Sequence, residues 1–230
     1  VVTAEFKINY VRPAIGERSV AHRIVRYLGD LKNVENRSVL VIGHGHSAAN
    51  AIERLARIAV DHPGTRITWA TRSMNKRPCV AVADDPLPER RTIVDRANDL
   101  AQQPPPFLRV ERKAMVEAIE ERAGKLFVAF TGDRSGSFDV VAAFTGYRPD
   151  LSIEAELAIG ISPVTEGAAG IDAKLSNVTD CLNVPQLSAS DLDSGEPGFH
   201  LIGHKSYGRS SAFLLKDGIR QLETILEAYA

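Results

Sequence analysis

A glycine turn between an apolar run and a helix pattern carries the clearest chemistry in this sequence. The run Val39–Ile42 is rich in β-branched residues, which is typical of a buried strand, and the turn Gly43–Ala48 follows it directly. Apolar residues then recur every three or four positions as far as Ala59, which predicts an amphipathic helix. The amides and the dipole at a helix N-terminus favour a bound phosphate. We therefore expect a dinucleotide site here, with a purely structural turn as the alternative.

The small and polar residues of this turn suit a pyrophosphate. Gly43 lets the chain leave the strand through backbone angles that a Cβ disfavours. Gly45 removes the side chain that would keep a pyrophosphate away from the amides, and Ala48 lets the helix pack closely on the strand. Ser47 adds a hydroxyl donor, and His46 is interpreted as a polar loop residue rather than a catalyst.

The end of the next strand indicates which coenzyme the turn would take. Arg66–Ala70 is predicted to be that strand, and an NAD site would place a carboxylate at its end. Instead the strand is followed by Arg72 and Ser73, with Lys76 and Arg77 close behind. These donors and positive charges suit a 2′-phosphate, so NADP is the predicted coenzyme. A solvated basic loop is the alternative.

The composition excludes several classes of partner. The chain has 230 residues and a formal net charge of −1, which gives no broad attraction to nucleic acid or to an anionic membrane. We find no apolar run near the roughly 18 residues of a membrane helix and no signal peptide. Cys79 and Cys181 have no metal or C-x-x-C spacing, and His44 and His46 lack further clustered zinc ligands. We expect a cytoplasmic protein with a small-molecule substrate or electron acceptor, without metal; a homo-oligomer is compatible with the sequence.

The remaining elements follow from periodicity and turn residues. Residues 113–121 could form a strand or a short helix, and residues 151–195 are turn-rich with a short helix near Glu154. The other predicted strands are Val1–Tyr10, Phe107–Val110, Gly198–Gly203, and the pair Lys125–Thr131 and Ser137–Phe144 joined by a hairpin; the other predicted helices are Glu17–Leu31, Glu89–Gln103 and Ala212–Tyr229.

Two later turns also follow a predicted strand and contain glycine and polar residues. Thr145–Asp150 follows a predicted strand, and a ligand-binding turn and an ordinary strand exit are both open interpretations. His204–Arg209 lies between a predicted strand and the last helix, where a second anion or ring could bind.

Three segments, VLVIGHGHSAANAI, VVAAFTGYRPD and GFHLIGHKSYGRSSAFLL, together resemble the two-dinucleotide-binding flavoproteins. The resemblance covers nearly all of the chain and is nearest to FAD-dependent NAD(P)H oxidoreductases of the flavin monooxygenase and thioredoxin reductase type. It implies that Gly43 and Gly45–Ala48 contact the NADPH pyrophosphate and that Arg72 contacts the adenosine phosphate. It also implies that Gly146 and Tyr147 lie near the nicotinamide. The residues that it implies for the flavin are Gly203, His204 and the helix start near Tyr207.

The resemblance implies an α/β fold with a Rossmann-like NAD(P)-binding domain, made of a central parallel sheet, helices and an antiparallel β-meander, plus the C-terminal part of an FAD-binding domain. The expected divisions are a linker at 1–36, the NAD(P)-binding domain at 37–148 and the FAD-domain segment at 149–230. The family's N-terminal FAD motif is missing from this sequence, and so is a redox-active cysteine pair.

These features predict an NADPH-dependent flavoprotein oxidoreductase that passes a hydride from NADPH to FAD and then to oxygen or another acceptor. A non-catalytic module that binds or senses NADP(H) is the alternative. A dehydrogenase without flavin would leave the C-terminal segment unexplained. No side chain is assigned as a catalytic acid or base.

Overall fold

The computed structural model describes residues 20, 23–82, 85–176, 178 and 181–230, which form two compact units, 20–145 and 146–230. The strands are β1 (Ile24–Val25), β2 (Ser38–Ile42), β3 (Arg66–Ala70), β4 (Leu108–Glu111), β5 (Val116–Arg122), β6 (Lys125–Phe130), β7 (Arg134–Phe138) and β8 (Val140–Ala143). The α-helices are α1 (His46–Asp61), α2 (Pro88–Gln102), α3 (Ala169–Leu175), α4 (His204–Tyr207) and α5 (Leu215–Ala228). Short 3₁₀ helices cover Leu28–Asp30, Ser152–Glu154, Cys181–Asn183 and Ala189–Leu192.

The first unit is built on a five-stranded sheet in the order β1-β8-β2-β3-β4, in which every neighbouring pair is parallel. Its strands are apolar because both faces of a parallel sheet are covered. Val39 and Val41 pack with α1 and α2 on one face. Leu40 packs on the other face with the antiparallel meander β5-β6-β7. The three layers enclose the apolar side chains of the sheet.

The strand order determines where a ligand could enter. The chain runs outward from β2 through β3 to β4, and then returns to the other side of β2 as β8. At such a reversal the loops that leave the two central strands diverge, and a crevice opens at their carboxyl ends. Those ends are occupied by the glycine turn after Ile42 and by Phe144 after β8.

The second unit has little regular sheet. Its described residues hold one isolated bridge, between Ile161 and Ala168, and otherwise helices and loops. A small core lies among α3, α4, α5 and the loop that precedes α4; its most buried apolar members are Ile171, Leu192, Leu201 and Tyr207.

The expected α/β fold with a parallel sheet and an antiparallel sheet is confirmed. The predicted elements at β2, α1, β3, α2, β4, β6 and α5 are found within three residues of their expected bounds, and 113–121 proves to be mostly strand. The predicted strand Val1–Tyr10 lies outside the described residues. The domain divisions at 36 and 148 stay predictions.

Four predictions about local structure were wrong. Over 23–31, the described part of the predicted helix Glu17–Leu31, the chain forms β1 and a 3₁₀ turn, because Ile24 and Val25 pair with β8 at the sheet edge. A helix, α3, occurs in the stretch expected to have only one near Glu154. Its Gly170 allows the close approach of the Asp191 carbonyl, which a Cβ would meet at 2.5 Å.

The predicted strand Ser137–Phe144 is divided between two sheets. Asp139 separates β7 from β8, and its carboxylate accepts hydrogen bonds from the Ser38 amide at 2.9 Å and the Ser38 hydroxyl at 2.7 Å. The residues before Asp139 therefore pair with the meander, and those after it with β2. The predicted strand Gly198–Gly203 consists of turn and irregular structure and joins no sheet among the described residues.

Candidate functional site

Gly43 is required by the fold itself. Its φ is +117°, and a Cβ there would lie 2.1 Å from the carbonyl oxygen of Phe144, where β8 leaves the sheet. The turn is further fixed by two hydrogen bonds. The Gly43 amide donates to the Ala70 carbonyl at 3.0 Å, and the Trp69 indole N–H donates to the Gly43 carbonyl at 2.7 Å.

Gly45 meets no such constraint. Its φ is −81°, which other residues adopt readily, and a Cβ there would meet no described atom within 4 Å. Gly45 is the N-cap of α1 and has no side chain to cap it, and Ala49 donates the first helical hydrogen bond, to the Gly45 carbonyl at 3.0 Å. The amides before Ala49 are those that a helix leaves without an intrahelical partner. Gly45, His46 and Ser47 are exposed, so this end of α1 lies at the surface, and a side chain added at Gly45 would have room.

Charged side chains lie near both histidines of this turn. Burial lowers the pKa of His44, and the nearby charge of Arg72 lowers it further. Burial also lowers the pKa of His46; Arg90 adds to that effect, and Asp85 opposes it. Both imidazoles are therefore neutral at pH 7.

Arg90 was not named as a site residue from the sequence, where it falls in the predicted helix Glu89–Gln103. The side chain of Asp85 is buried and accepts two hydrogen bonds from Arg90, from Nε and Nη2, each at 2.7 Å. Arg91 donates to the Asp85 backbone carbonyl at 2.7 Å. The signal that could have found Arg90 is its place in the first turn of α2, which follows a strand at the carboxyl edge of a parallel sheet.

Arg72 and Ser73 lie at the same edge as the turn, because β3 runs parallel to β2 with Ala70 opposite Ile42. Arg72 is exposed. Ser73 is half-buried, and its hydroxyl accepts a hydrogen bond from the Asn75 amide at 3.1 Å. Arg77 is instead bound to α2 through Asp95 and Asp99.

In the second unit the structure brings Tyr147 and His204 together. Their rings meet edge to face with centroids 5.8 Å apart, and His204 makes a similar contact with Phe213 at 5.6 Å. Burial lowers the pKa of His204, so its imidazole is neutral at pH 7. Gly146 (φ +86°) and Gly203 (φ +70°) both lie where a Cβ would meet no described atom within 4 Å.

Tyr207 is a core residue, with 1% of its surface exposed. Its hydroxyl has no hydrogen-bond partner among the described residues, and burial raises its pKa to about 12, with the charge of Asp217 acting in the same direction. The neighbouring Ser206 belongs to a buried network. Its hydroxyl donates to the Gly203 carbonyl at 2.7 Å and accepts from Gln221 at 3.0 Å.

Arg148 of the TGYRPD segment has a structural partner. Its guanidinium binds both carboxylate oxygens of Glu166, and this pairing is the main reason that the pKa of Glu166 is lowered. Arg209 lies 3.8 Å from the same carboxylate. Glu166 has a φ of +61°, which a non-glycine residue rarely adopts, so the ion pair supports a strained position.

The described residues hold neither a metal-binding cluster nor a membrane-spanning helix. In those residues no three His, Cys, Asp or Glu side chains are grouped to hold a metal ion. In the same residues no helix is both long and apolar enough to cross a bilayer.

No family model and no curated protein matches the sequence. Solved structures do match. The bacillithiol disulfide reductase of Bacillus cereus is 19% identical with a TM-score of 0.57, and the match covers 88% of this chain and 56% of that one. The enzyme of the same name from Staphylococcus aureus is 17% identical with a TM-score of 0.56, over 89% of this chain and 57% of that one.

A pyridine nucleotide-disulfide family oxidoreductase from Enterococcus faecalis is 16% identical with a TM-score of 0.58, over 97% of this chain and 45% of that one. The fold is Rossmann-like. At these identities the likeness is one of fold, and this chain spans little more than half the length of the two bacillithiol disulfide reductases.

Proposed function

We propose that this chain is part of an FAD-dependent NAD(P)H oxidoreductase and that its first unit binds NADPH at the turn Gly43–Ala48. The observation that carries the proposal is the contrast within the turn: Gly43 is demanded by the backbone of Phe144, whereas Gly45 is demanded by no described atom. A position that the protein leaves open beside unpaired helix amides fits a ligand phosphate.

The proposed coenzyme is NADPH rather than NADH. The end of β3 carries Arg72 and Ser73 and lacks the carboxylate that an NAD site would place there. Arg72 lies close enough to His44 to lower its pKa, which places its charge beside the turn. Arg90 also lies near His46, but its guanidinium is paired with the buried Asp85 carboxylate, so Arg72 is the cation proposed for the phosphate.

The proposed second cofactor is FAD, which would accept a hydride from NADPH and pass electrons to oxygen or another small-molecule acceptor. The described residues of the second unit support a place for its ring side, since Gly146 and Gly203 are open and the rings of the residues that follow them, Tyr147 and His204, contact each other. The turn Gly43–Ala48 is already assigned to NADPH, and the residues that would bind the FAD adenosine phosphates are not identified.

The proposal does not include a redox-active disulfide, although the bacillithiol disulfide reductases are named for disulfide reduction. Burial raises the pKa of Cys79 to about 11, which keeps it in the unreactive thiol form. Cys181 is the second cysteine of the sequence and has no C-x-x-C partner. A cytoplasmic location is also proposed, because Cys79 and Cys181 lie far apart in the sequence and show no C-x-x-C or metal spacing.

Substitution at Gly45 tests the site. Gly45→Val should abolish NADPH binding in a calorimetric titration, because its branched side chain would occupy the space proposed for the pyrophosphate. The fold should survive at a cost of about 1 kcal/mol for a poorer N-cap. Gly43→Ala is the matched contrast, and should destabilise the first unit by about 2–6 kcal/mol through strain and overlap with Phe144. Unchanged NADPH affinity in Gly45→Val would show that the turn is only structural.

Substitution at Arg72 tests the coenzyme. Arg72→Ala should weaken NADPH binding by about 1–3 kcal/mol and leave NADH binding nearly unchanged, because only NADPH carries the 2′-phosphate. Arg57→Ala is the control, since Arg57 is an exposed arginine three turns along α1. Equal losses for both coenzymes would contradict the assignment of Arg72.

The flavin is tested by the visible spectrum of the purified full-length product of the gene. Bound FAD should make it yellow. A colourless protein that takes up no added FAD, but still binds NADPH, would favour the alternative of a non-catalytic NADP(H)-binding module.

A further inference from the structure

The loop that follows β3, residues 71–77, carries the basic residues proposed to select the coenzyme. It has no regular secondary structure, and its residues 72–77 make no backbone–backbone hydrogen bond to another described residue. Arg72 is exposed within it and lies near enough to His44 for its charge to lower the pKa of that imidazole. The course of the loop, and therefore the place of Arg72, depends on contacts with side chains.

Arg112 binds the middle of this loop. It lies directly after β4 and is half-buried. Its Nε donates to the Asn75 carbonyl at 3.2 Å, and its Nη2 donates to the Lys76 carbonyl at 3.4 Å. The same Nη2 donates to the Ala101 carbonyl at 2.7 Å. Ala101 lies in the last turn of α2, where carbonyls lack a partner within the helix and attract positive charge. One guanidinium group therefore joins the loop to the end of α2.

Arg112 is itself held in place by its neighbours. The Arg134 guanidinium donates to the Arg112 carbonyl at 3.0 Å and to the Lys113 carbonyl at 2.7 Å. It also pairs with the Glu111 carboxylate at 3.1 Å. At the start of the loop, the Thr71 amide donates to the Glu111 carbonyl at 2.9 Å. These contacts fix the backbone on both sides of Arg112, so its guanidinium reaches the loop from a defined position.

Contacts within the loop complete its shape. The Thr71 hydroxyl donates to the Ser73 carbonyl at 3.1 Å. The Ser73 hydroxyl accepts a hydrogen bond from the Asn75 amide at 3.1 Å, which leaves its own proton available to a ligand. Arg77, at the far end of the loop, is bound to two aspartates of α2. The loop is therefore tied to α2 twice, by Arg77 at its end and by Arg112 in its middle.

We propose that Arg112 is a positioning residue for coenzyme selection, which binds the loop to α2 and so holds Arg72 and Ser73 where they meet the 2′-phosphate of NADPH. The inference rests on the proposed function, because it assigns Arg112 a role at the same coenzyme site. A loop that is ordered before its ligand arrives loses less conformational entropy on binding. NADH has no 2′-phosphate, so its binding gains nothing from the way this loop is held.

Calorimetric titration of the full-length protein with NADP⁺ and with NAD⁺ tests the proposal, since these oxidised coenzymes cannot reduce a flavin. Arg112→Met keeps the aliphatic stem and removes the donors. It should weaken NADP⁺ binding about tenfold and leave NAD⁺ binding within about twofold. In the Arg72→Ala background it should cost less than a further factor of about three, because the cation that Arg112 positions is gone. Arg109→Met, at an exposed arginine of β4, is the matched control and should change neither affinity.

Three results would overturn the proposal. One is unchanged NADP⁺ affinity in Arg112→Met. The second is an equal loss for both coenzymes, which a merely structural role would give. The third is the full tenfold loss in the Arg72→Ala background. If Arg112→Met does not fold by circular dichroism, Arg112→Lys decides by the same criteria, because one ammonium group cannot replace the planar fork at three carbonyls.

Arg72→Ala alone separates this inference from the proposed function. If that variant weakens NADP⁺ binding selectively and the Arg112 variants do not, the NADPH site stands and the positioning role of Arg112 fails. If Arg72→Ala weakens both coenzymes equally, the assignment of Arg72 fails, and the role of Arg112 fails with it.

Discussion

Helices α1 and α5 are both amphipathic, yet they are used in opposite ways. In α1 the apolar side, with Ile52 and Leu55 fully buried, packs in the core formed with the parallel sheet. In α5 the buried side carries Asp217 and Gln221, and the apolar stripe faces solvent. The difference teaches that a helical period of apolar residues predicts an apolar face, but does not predict which surface covers it.

The strongest test of this contrast replaces one leucine with alanine in each helix. Leu55→Ala should lower the free energy of unfolding by about 2–5 kcal/mol, because it leaves a cavity in a packed core. Leu222→Ala should change it by no more than about 0.5 kcal/mol in the 230-residue chain, because Leu222 is exposed. Urea denaturation followed by circular dichroism measures both. Similar losses in the two variants would mean that Leu222 is already covered.

A second test concerns the polar interior behind α5. Ser206→Ala should cost about 1–3 kcal/mol, because it leaves the buried Gln221 amide without its partner. The adjacent Tyr207→Phe is the matched control. It removes a buried hydroxyl that has no partner among the described residues, so stability should stay within about 0.5 kcal/mol or rise slightly. The test is the urea midpoint of each variant, and a larger loss in Tyr207→Phe would show that its hydroxyl has a partner.

The smallest effect is expected at Asp139, which separates β7 from β8 in the first unit. Hydrogen bonds from Ser38 lower the pKa of Asp139 to about 2, below its usual value near 3.8. The carboxylate therefore stabilises the fold above pH 4, and this contribution, about 1–2 kcal/mol, is lost as the pH falls from 4 to 2. Asp139→Asn should flatten the stability profile in that window, whereas Asp133→Asn, in an exposed turn, should not. Identical profiles for the two variants would contradict the assignment.

The parts of the fold that were predicted from the sequence are those fixed by local contacts. β2, the glycine turn and α1 follow one another in the chain, so the period of apolar residues and the place of Gly43 identify them. The strand Gly198–Gly203 has the same local signal, but a strand also needs a neighbour. That neighbour is not among the described residues, so the apolar run alone gave the wrong prediction.

Long-range contacts explain the other differences. The division of Ser137–Phe144 depends on Asp139 binding Ser38, which is 101 positions away. β1 exists because Ile24 and Val25 meet a strand formed more than 110 residues later. A local pattern of apolar residues covers a short segment of the chain. It cannot include both residues of either contact, because they lie more than 100 positions apart.

The candidate site shows the same limit. Arg72 could be named because it follows the strand next to the glycine turn. Arg90 lies near His46 through the fold of the chain, and its place in a helix rich in charged residues did not indicate this. Tyr207 was named for its place in a glycine-containing turn, but the structure buries its ring. The binding roles of the named residues stay predictions.

The hydrogen bond from Trp69 to Gly43 has a practical consequence. Trp69 is the one tryptophan of the sequence, and its indole lies directly against the backbone of the proposed phosphate turn. Its ultraviolet emission therefore comes from a single place in the protein, so the arrival of a reduced nicotinamide could be followed as quenching without any attached dye.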